Sequence, residues 1–510
     1  MLRTSAPLAA AMVAALPLCP GTVRASRTID LAGQTWPVIV GTQQEEQFGY
    51  AAAAGDLDGD GRPEVVVGAP GRRSDSDHHL GAVYVLGGAA LADARGQVRA
   101  ADVALSVIVG PPTHARFGAS IAVADLDGDG LSDVVVGAPS EGEGPHVERG
   151  SVYVFFSKPG QPSPRTALEA DLTIRGERAG DTFGTSVLAA DIDGDGTVDL
   201  VASAARAGAP ARPGAGAVYV VDGAALRGGR GEMGISGLAR AVIEGDRPGD
   251  SLSALAVGDF DGDGRVDLAL GAPLSDGPSG GRTDAGAVYV VPTGRLAGGR
   301  AGVSRTAAAT VLGGRERGFL GRTIAAADID DDGIADLLVP AHASSGETKE
   351  ESVIGEAFVL FGSASGSPAP LDLATAGTPV FRGLSRWDIF GFAVMLADMN
   401  GDGQADIVAS APFAGGDGDS RPRCGEVCVF WGGVRSVVRA KAGSSELADI
   451  RIVGAGERDA IGSCLIAVRA GGAKTPDLLI GAPDAPVTSG CGDRCGKLIV
   501  VPAAAGLGGR

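Results

Sequence analysis

The chain has 510 residues and a formal net charge of −19, with 44% hydrophobic residues but only 4% aromatic ones. That charge argues against nucleic acid or an anionic membrane as a partner. The apolar share allows a sizeable core of Val, Ala, Leu and Ile, and 83 glycines are too many for a helical protein.

In chain order, residues 1–25 read as a secretory signal. Arg3 is the basic start, residues 7–18 are the apolar stretch, and Val23-Arg24-Ala25 is a small-residue cleavage site. The stretch is too short for a membrane span, and no other run approaches 18 apolar residues. The expected location is therefore secreted, cell-surface or periplasmic. Cys19, between Leu18 and Pro20, fits a lipidation site poorly. Residues 26–35 read as an N-terminal extension, 36–502 as one repeat domain and 503–510 as a C-terminal tail.

The repeat domain is set by acidic loops starting at Asp56, Asp125, Asp191, Asp259, Asp328 and Asp398, with a degraded copy at Arg469, spaced 66–71 residues apart. Each unit carries the same four signals in order. An apolar run ends in Gly, as in Val107-Ile108-Val109-Gly110. A Phe-Gly pair follows, as at Phe48-Gly49, Phe117-Gly118, Phe183-Gly184 and Phe390-Gly391. The acidic loop then leads into a β-branched run ending in Gly-Ala-Pro, as at Gly68-Ala69-Pro70. Gly-x-Val-Tyr-Val closes the unit, as at Gly81 to Val85. Each signal is a short strand bounded by Gly or Pro. Four strands in each of seven units predict an all-β, seven-bladed β-propeller. A linear β-solenoid is disfavoured because the period is long for one coil. The run at residues 36–41 has no counterpart after the last unit, so it is expected to supply the outer strand of blade seven and close the ring.

The loops at 56–64, 125–133, 191–199, 259–267, 328–336 and 398–406 place oxygen donors at positions 1, 3, 5 and 9. These are Asp56, Asp58, Asp60 and Glu64; Asp125, Asp127, Asp129 and Asp133; Asp191, Asp193, Asp195 and Asp199; Asp259, Asp261, Asp263 and Asp267; Asp328, Asp330, Asp332 and Asp336; and Asp398, Asn400, Asp402 and Asp406. Alternate residues of a tight loop aim oxygens at one centre, Gly at position 6 permits the turn, and the backbone carbonyl at position 7 adds a ligand. Those carbonyls belong to Arg62, Leu131, Thr197, Arg265, Ile334 and Gln404. Six to eight oxygens suit calcium, whereas magnesium keeps its waters. About six calcium ions are expected. An EF-hand would need Glu at position 12 and flanking helices, but Val67 and Val136 stand there inside β-branched runs. The copy at 469–477 keeps only Asp477 and is expected to be empty, with Lys474 in place of a cation. The ligand positions hold 23 of the 62 acids, so the chain outside them, with 39 acids against 43 Lys and Arg, is close to neutral.

Phe-Gly, a calcium loop and Gly-Ala-Pro in one unit resemble the FG-GAP repeats of the integrin α-subunit propeller, over residues 36 to about 502. Related repeats occur in glycosylphosphatidylinositol-specific phospholipase D and in bacterial exported proteins, and the Ala-, Gly- and Arg-rich composition is of the latter type. The resemblance implies a seven-bladed propeller with calcium loops between the first two strands of a blade, on a lower face. It also implies ligand contacts from upper-face loops, which match 71–80, 140–149 and 341–354. Six calcium loops exceed the usual three or four. Blade four has Ser251-Leu252-Ser253 in place of Phe-Gly, and blade five has Phe319-Leu320-Gly321.

The function expected is an adhesion or ligand-binding module for an unidentified extracellular protein or glycan, with calcium structural. An extracellular hydrolase or lyase using the central face is the alternative, because calcium acids mask any paired carboxylates. The five histidines, 78, 79, 114, 146 and 342, fall in expected loops and read as solvated. His78-His79 with Asp75 and Asp77 is the one cluster suited to a transition metal. Five cysteines follow the leader: 424, 428, 464, 491 and 495. Cys491 and Cys495 flank a short loop and are the preferred disulfide.

Overall fold

The computed structural model describes residues 27–505 apart from 74–78, 143–147, 159–165, 278–279, 297, 344–352, 364–370, 377–380, 384, 386, 417–418, 433–446, 470–472 and 488–490. Residues 1–25, read above as a leader, and Cys19 therefore lie outside the described residues, as do Asp75, Asp77, His78 and His146.

Seven mainly antiparallel sheets form a seven-bladed β-propeller. In blade one, Ala52–Gly55, Glu64–Ala69, Ala82–Leu86 and Ala104–Val109 pair in that order. We call such strands A to D. Every A strand touches those of its two neighbours. Ala52–Gly55 meets both Ser120–Ala124 of blade two and Cys464–Val468 of blade seven, so the A strands line the axis and the ring is closed. The core sits between blades. Val65, Val67 and Ala69 pack with Leu479 and Leu498 of blade seven, while Val66 packs with Phe117, Val134 and Val136 of blade two. A strand buried on both faces needs no polar alternation, which explains runs such as Glu64–Ala69, buried throughout.

The repeated motifs are the joints between blades. A Cβ on Gly68 of Gly-Ala-Pro would lie 2.1 Å from the carbonyl oxygen of Gly118, the glycine of the next blade's Phe-Gly. One on Gly481 of blade seven would lie 2.1 Å from that of Gly49 in blade one. At the joint between blades three and four both glycines are gone together, replaced by Ser203 and Ser253. This accounts for the departure in blade four. The phenylalanine site is filled there by Leu252 and in blade five by Leu320, each bridged to the glycine that opens the previous blade's C strand. Phe319 is thus not the motif aromatic. The residue before this site is left-handed in all seven blades: Gln47 (φ 58°), Arg116 (52°), Thr182 (58°), Ser251 (58°), Phe319 (53°), Ile389 (55°) and Ala460 (48°).

Val38–Val40 pairs antiparallel with Lys497–Val501, so N-terminal residues do supply the outer strand of blade seven. A further feature had no counterpart in the sequence reading. Most blades gain a fifth, parallel strand from the C-to-D connection of the next blade. Gln97–Arg99 pairs with Val38–Val40, Gly231–Gly234 with Leu172–Arg175, Gly299–Gly302 with Ala241–Glu244, and Leu371–Asp372 with Ala309–Leu312. One helical turn then leads to strand D, as in Ile235–Leu238 and Val303–Thr306. Residues 26–35, expected to be an extension, contain the same device. Arg27–Asp30 pairs parallel with Ile450–Val453 of blade six, and the turn Leu31–Gly33 follows. The ring thus closes at blade seven, whose strand D comes from Val38–Val40 and whose strand C is Lys497–Val501. Cys491 and Cys495 form a disulfide.

Candidate metal centres

Each acidic loop joins strand A to strand B, at the end of the blade opposite the B-to-C loops. The loop is wound by its own acids. Asp125 Oδ1 accepts from the Gly128 amide (2.6 Å) and Oδ2 from Gly130 (2.9 Å), Asp127 accepts from Asp129 (3.2 Å), and Asp129 from Leu131 (2.9 Å). The same bonds recur from Asp56, Asp191, Asp259, Asp328 and Asp398. Position 4 is left-handed and is glycine except in loop five, where Asp331 takes φ 65°; Asp is one of the few side chains that tolerates this.

Position 9 opens strand B and is buried in loops one to six, with Glu64 the most exposed of them at 3%. One oxygen accepts from the position-2 amide: Leu57, Leu126, Ile192, Phe260, Ile329 and Met399 donate at 2.8–3.3 Å. In four blades the other oxygen ties down the chain beyond strand C, accepting from Ser157, Gly223, Gly362 or Gly432. Burial pushes Asp133 and Asp406 up to about 7, and Asp267 and Asp336 up to about 6. Glu64 and Asp199 are raised by the same cause. Burial and the neighbouring carboxylates also raise Asp127 and Asp330. The charged form is thus disfavoured chiefly at position 9, where the carboxyl is buried.

Among the described residues, five loops bring three carboxylate oxygens within 4.8 Å of one another. The groups are Asp56, Asp58 and Glu64; Asp125, Asp127 and Asp133; Asp191, Asp193 and Asp199; Asp259, Asp261 and Asp263; and Asp328, Asp330 and Asp332. The donors are oxygen alone, a set that fits a hard cation. Loop six has the same winding, with Asn400 Oδ1 accepting from the Asp402 amide at 2.8 Å. Asp60, Asp129 and Asp195 stand at the exposed rim of their loops.

Loop seven is different. Lys474 makes no ion pair among the described residues. Instead Arg469, at position 1, reaches Asp398 of loop six at 3.7 Å. Asp477 accepts from the Ala503 amide at 2.8 Å, the same tie beyond strand C that four other position-9 acids make.

The opposite end carries acids that the sequence reading passed over. Glu46, Asp181, Asp250, Asp388 and Asp459 each stand two residues before the Phe-Gly site and are buried. Asp181, Asp388 and Asp459 accept from amides three residues back. The constant offset was their sequence signal. Arg72 lies 3.7 Å from Glu46, and Lys497 lies 2.6 Å from Asp459. Of the histidines, His79 and His114 are in contact through the His79 amide, at 3.4 Å. His342 is buried, at 6% exposure, rather than solvated. It stands where other blades have the proline of Gly-Ala-Pro, packed between Phe319 and Phe392.

A family model described as FG-GAP repeat matches residues 48–86, 117–155, 183–221, 251–291 and 390–421. The chain carries FG-GAP repeats. These repeats are 37% identical over 170 residues to phosphatidylinositol-glycan-specific phospholipase D of Rattus norvegicus, covering 33% of this chain and 19% of that enzyme. They are 35% identical over 187 residues to integrin alpha-PS5 of Drosophila melanogaster, covering 36% and 16%. The matched part is thus under a fifth of the length of either relative. An exotype rhamnogalacturonan lyase aligns over 91% of this chain and 73% of its own at a TM-score of 0.37 and 14% identity. No helix among the described residues is long and apolar enough to cross a membrane.

Proposed function

We propose that this FG-GAP propeller is an exported adhesion or ligand-binding module for an extracellular protein or glycan, held rigid by about six structural calcium ions. The observation that carries this reading is the convergence of acids in loops one to five, with the same winding in loop six, against its loss in loop seven. Asp56, Asp125, Asp191, Asp259, Asp328 and Asp398 would anchor the ions. Positions 3, 5 and 9 would complete each shell with the position-7 carbonyls of Arg62, Leu131, Thr197, Arg265, Ile334 and Gln404. The ion would neutralise carboxylates that burial and mutual repulsion disfavour, and would pin the turn between strands A and B. The acids of the loops are bound up in backbone hydrogen bonds, a structural arrangement. The stretch shared with the phospholipase D is 19% of that enzyme, so catalysis from the central face is the weaker reading. Removal of the leader at residues 1–25 belongs to the same proposal.

A glycan and matrix-protein array, probed with and without chelator, tests the module directly. Calcium-dependent binding to one class of ligand is expected. Turnover of an arrayed glycan in place of retention would favour the hydrolase or lyase.

A further inference from the structure

The chain has 14 Phe, 5 Tyr and 3 Trp. Most of the phenylalanines at the Phe-Gly sites and the strand-C tyrosines are spent in the core, as in the edge-on pairs Phe48–Tyr84, Phe117–Tyr153 and Phe183–Tyr219. A second group of aromatics gathers instead at the ends of blades five and six opposite the acidic loops. Phe319 stacks on His342 (5.8 Å), His342 meets Phe392 edge-on (6.1 Å), and Phe392 meets Phe413 edge-on (6.5 Å). Two exposed arginines lie on this row. The guanidinium carbon of Arg322 is 5.7 Å from the Phe392 ring centre, and that of Arg423 is 4.6 Å from the Phe413 ring centre.

Several other arginines at this end of the ring are engaged by carboxylates, while Arg116 lies over Tyr50 at 5.7 Å. Arg175 pairs with Glu141, Arg282 with Asp372, and Arg421 with Asp30. Arg322 and Arg423 have no carboxylate partner among the described residues. Both residues are exposed with the guanidinium over an aromatic ring, and a guanidinium that keeps its N–H donors available can capture a carboxylate in bidentate fashion. His342 is held neutral at physiological pH, its pKa lowered to about 4 by burial and by the charge of Arg322, and so serves as a spacer in the row.

We infer that the Arg322–Phe392–Phe413–Arg423 row is a docking surface for a protein partner that presents acidic side chains. This rests on the ligand-binding reading above and gives it a place and a chemistry. An acidic peptide fits better than an acidic glycan. A sugar ring stacks on a free aromatic face, whereas the guanidinium groups lie over Phe392 and Phe413.

The test is titration of the full propeller, at fixed free calcium and low salt, with a fluorescent hexaglutamate peptide. The wild type binds it, and Arg322→Gln/Arg423→Gln weakens binding roughly tenfold or more, as expected for two charge-assisted contacts. Arg322→Lys/Arg423→Lys, which keeps the charge but not the planar fork, recovers only part of it. Arg305→Gln, an exposed arginine in the turn Val303–Thr306, changes binding less than twofold. All of the substituted side chains are exposed, and unchanged thermal midpoints would show that folding is intact. Undiminished binding by the glutamine pair, no binding by the wild type, or preference for an oligogalacturonate probe would each overturn the inference. Because the array reads calcium-dependent ligands anywhere on the ring, a hit there together with failure here would leave the module reading standing.

Discussion

Arg421 grips Asp30 with both prongs of its guanidinium, Nη1 to Oδ1 at 2.7 Å and Nη2 to Oδ2 at 2.8 Å. Arg282 holds Asp372 in the same way, at 2.7 and 2.6 Å. In each pair an arginine from a B-to-C loop clamps the end of a fifth strand, and the acid also caps the turn that follows, through Ala32 or Ala374. The first pair differs only in that its strand begins the described chain.

That difference makes the clamp a closure element. Asp30→Ala is expected to lower stability by about 1 kcal/mol, since half-exposed pairs contribute little. Arg421→Ala should do the same, with a coupling in the double mutant. Deleting residues 27–35 should cost far more, because Ile29 and Leu31 are buried with the strand. Limited proteolysis should then cut blade six first. Equal cutting in all blades would contradict the clasp. The clamp also has a pH signature. Arg421 holds the Asp30 carboxyl below its usual range. Its contribution is therefore present above the ordinary carboxylate pKa and is lost as the pH falls through the lowered one.

Calcium should govern the melting curve. At a hundredfold excess over its Kd, one filled site contributes about 2.7 kcal/mol, so chelator should lower the midpoint by many degrees. Elemental analysis after dialysis should find about six ions. An unchanged midpoint in chelator would remove calcium from the structural role.

Position 9 separates ligand from tie. Asp133→Asn should lower the calcium count by one and also destabilise. Asp477→Asn should leave the count unchanged and cost about 1 kcal/mol through the Ala503 amide. If both lose calcium, loop seven is a site after all.

The joint glycines leave no room. Gly68→Ala should destabilise by about 1–3 kcal/mol from overpacking against Gly118, with calcium content unchanged at loop one. A neutral midpoint would show that the blades separate more easily than the close contact implies.

His342 is kept neutral, its pKa lowered to about 4 from an ordinary 6.5. Between those values the unfolded chain binds a proton that the folded chain does not, so stability from this site falls as the pH drops from 6.5 towards 4. Replacement by Phe should flatten that part of the pH–stability curve at saturating calcium. An identical slope in the variant would place the titration elsewhere.

The blades and the acidic loops were legible because each motif performs a local task that repeats seven times. Phe-Gly meets Gly-Ala-Pro at a joint, and the loop acids bind their own backbone. The fifth strands were not legible. Gly231–Gly234 and Gly299–Gly302 have almost no strand propensity and owe their conformation to the neighbour they pair with. Ile29-Asp30-Leu31-Ala32 does repeat Leu371-Asp372-Leu373-Ala374, but four residues seen twice do not stand out in an Ala-rich chain. His342 was misread for a related reason. Its environment is built by Phe319 and Phe392 from two different blades.

The borrowed strands also bear on how the ring comes apart. A blade whose outer edge is woven from its neighbour's chain has no boundary at which it can detach alone. Loosening one sector tugs on the next, as in a basket and not a stack of plates. Excising or grafting a single repeat between its motif boundaries would therefore leave a frayed edge on each side, and the natural cassette for shuffling straddles two blades.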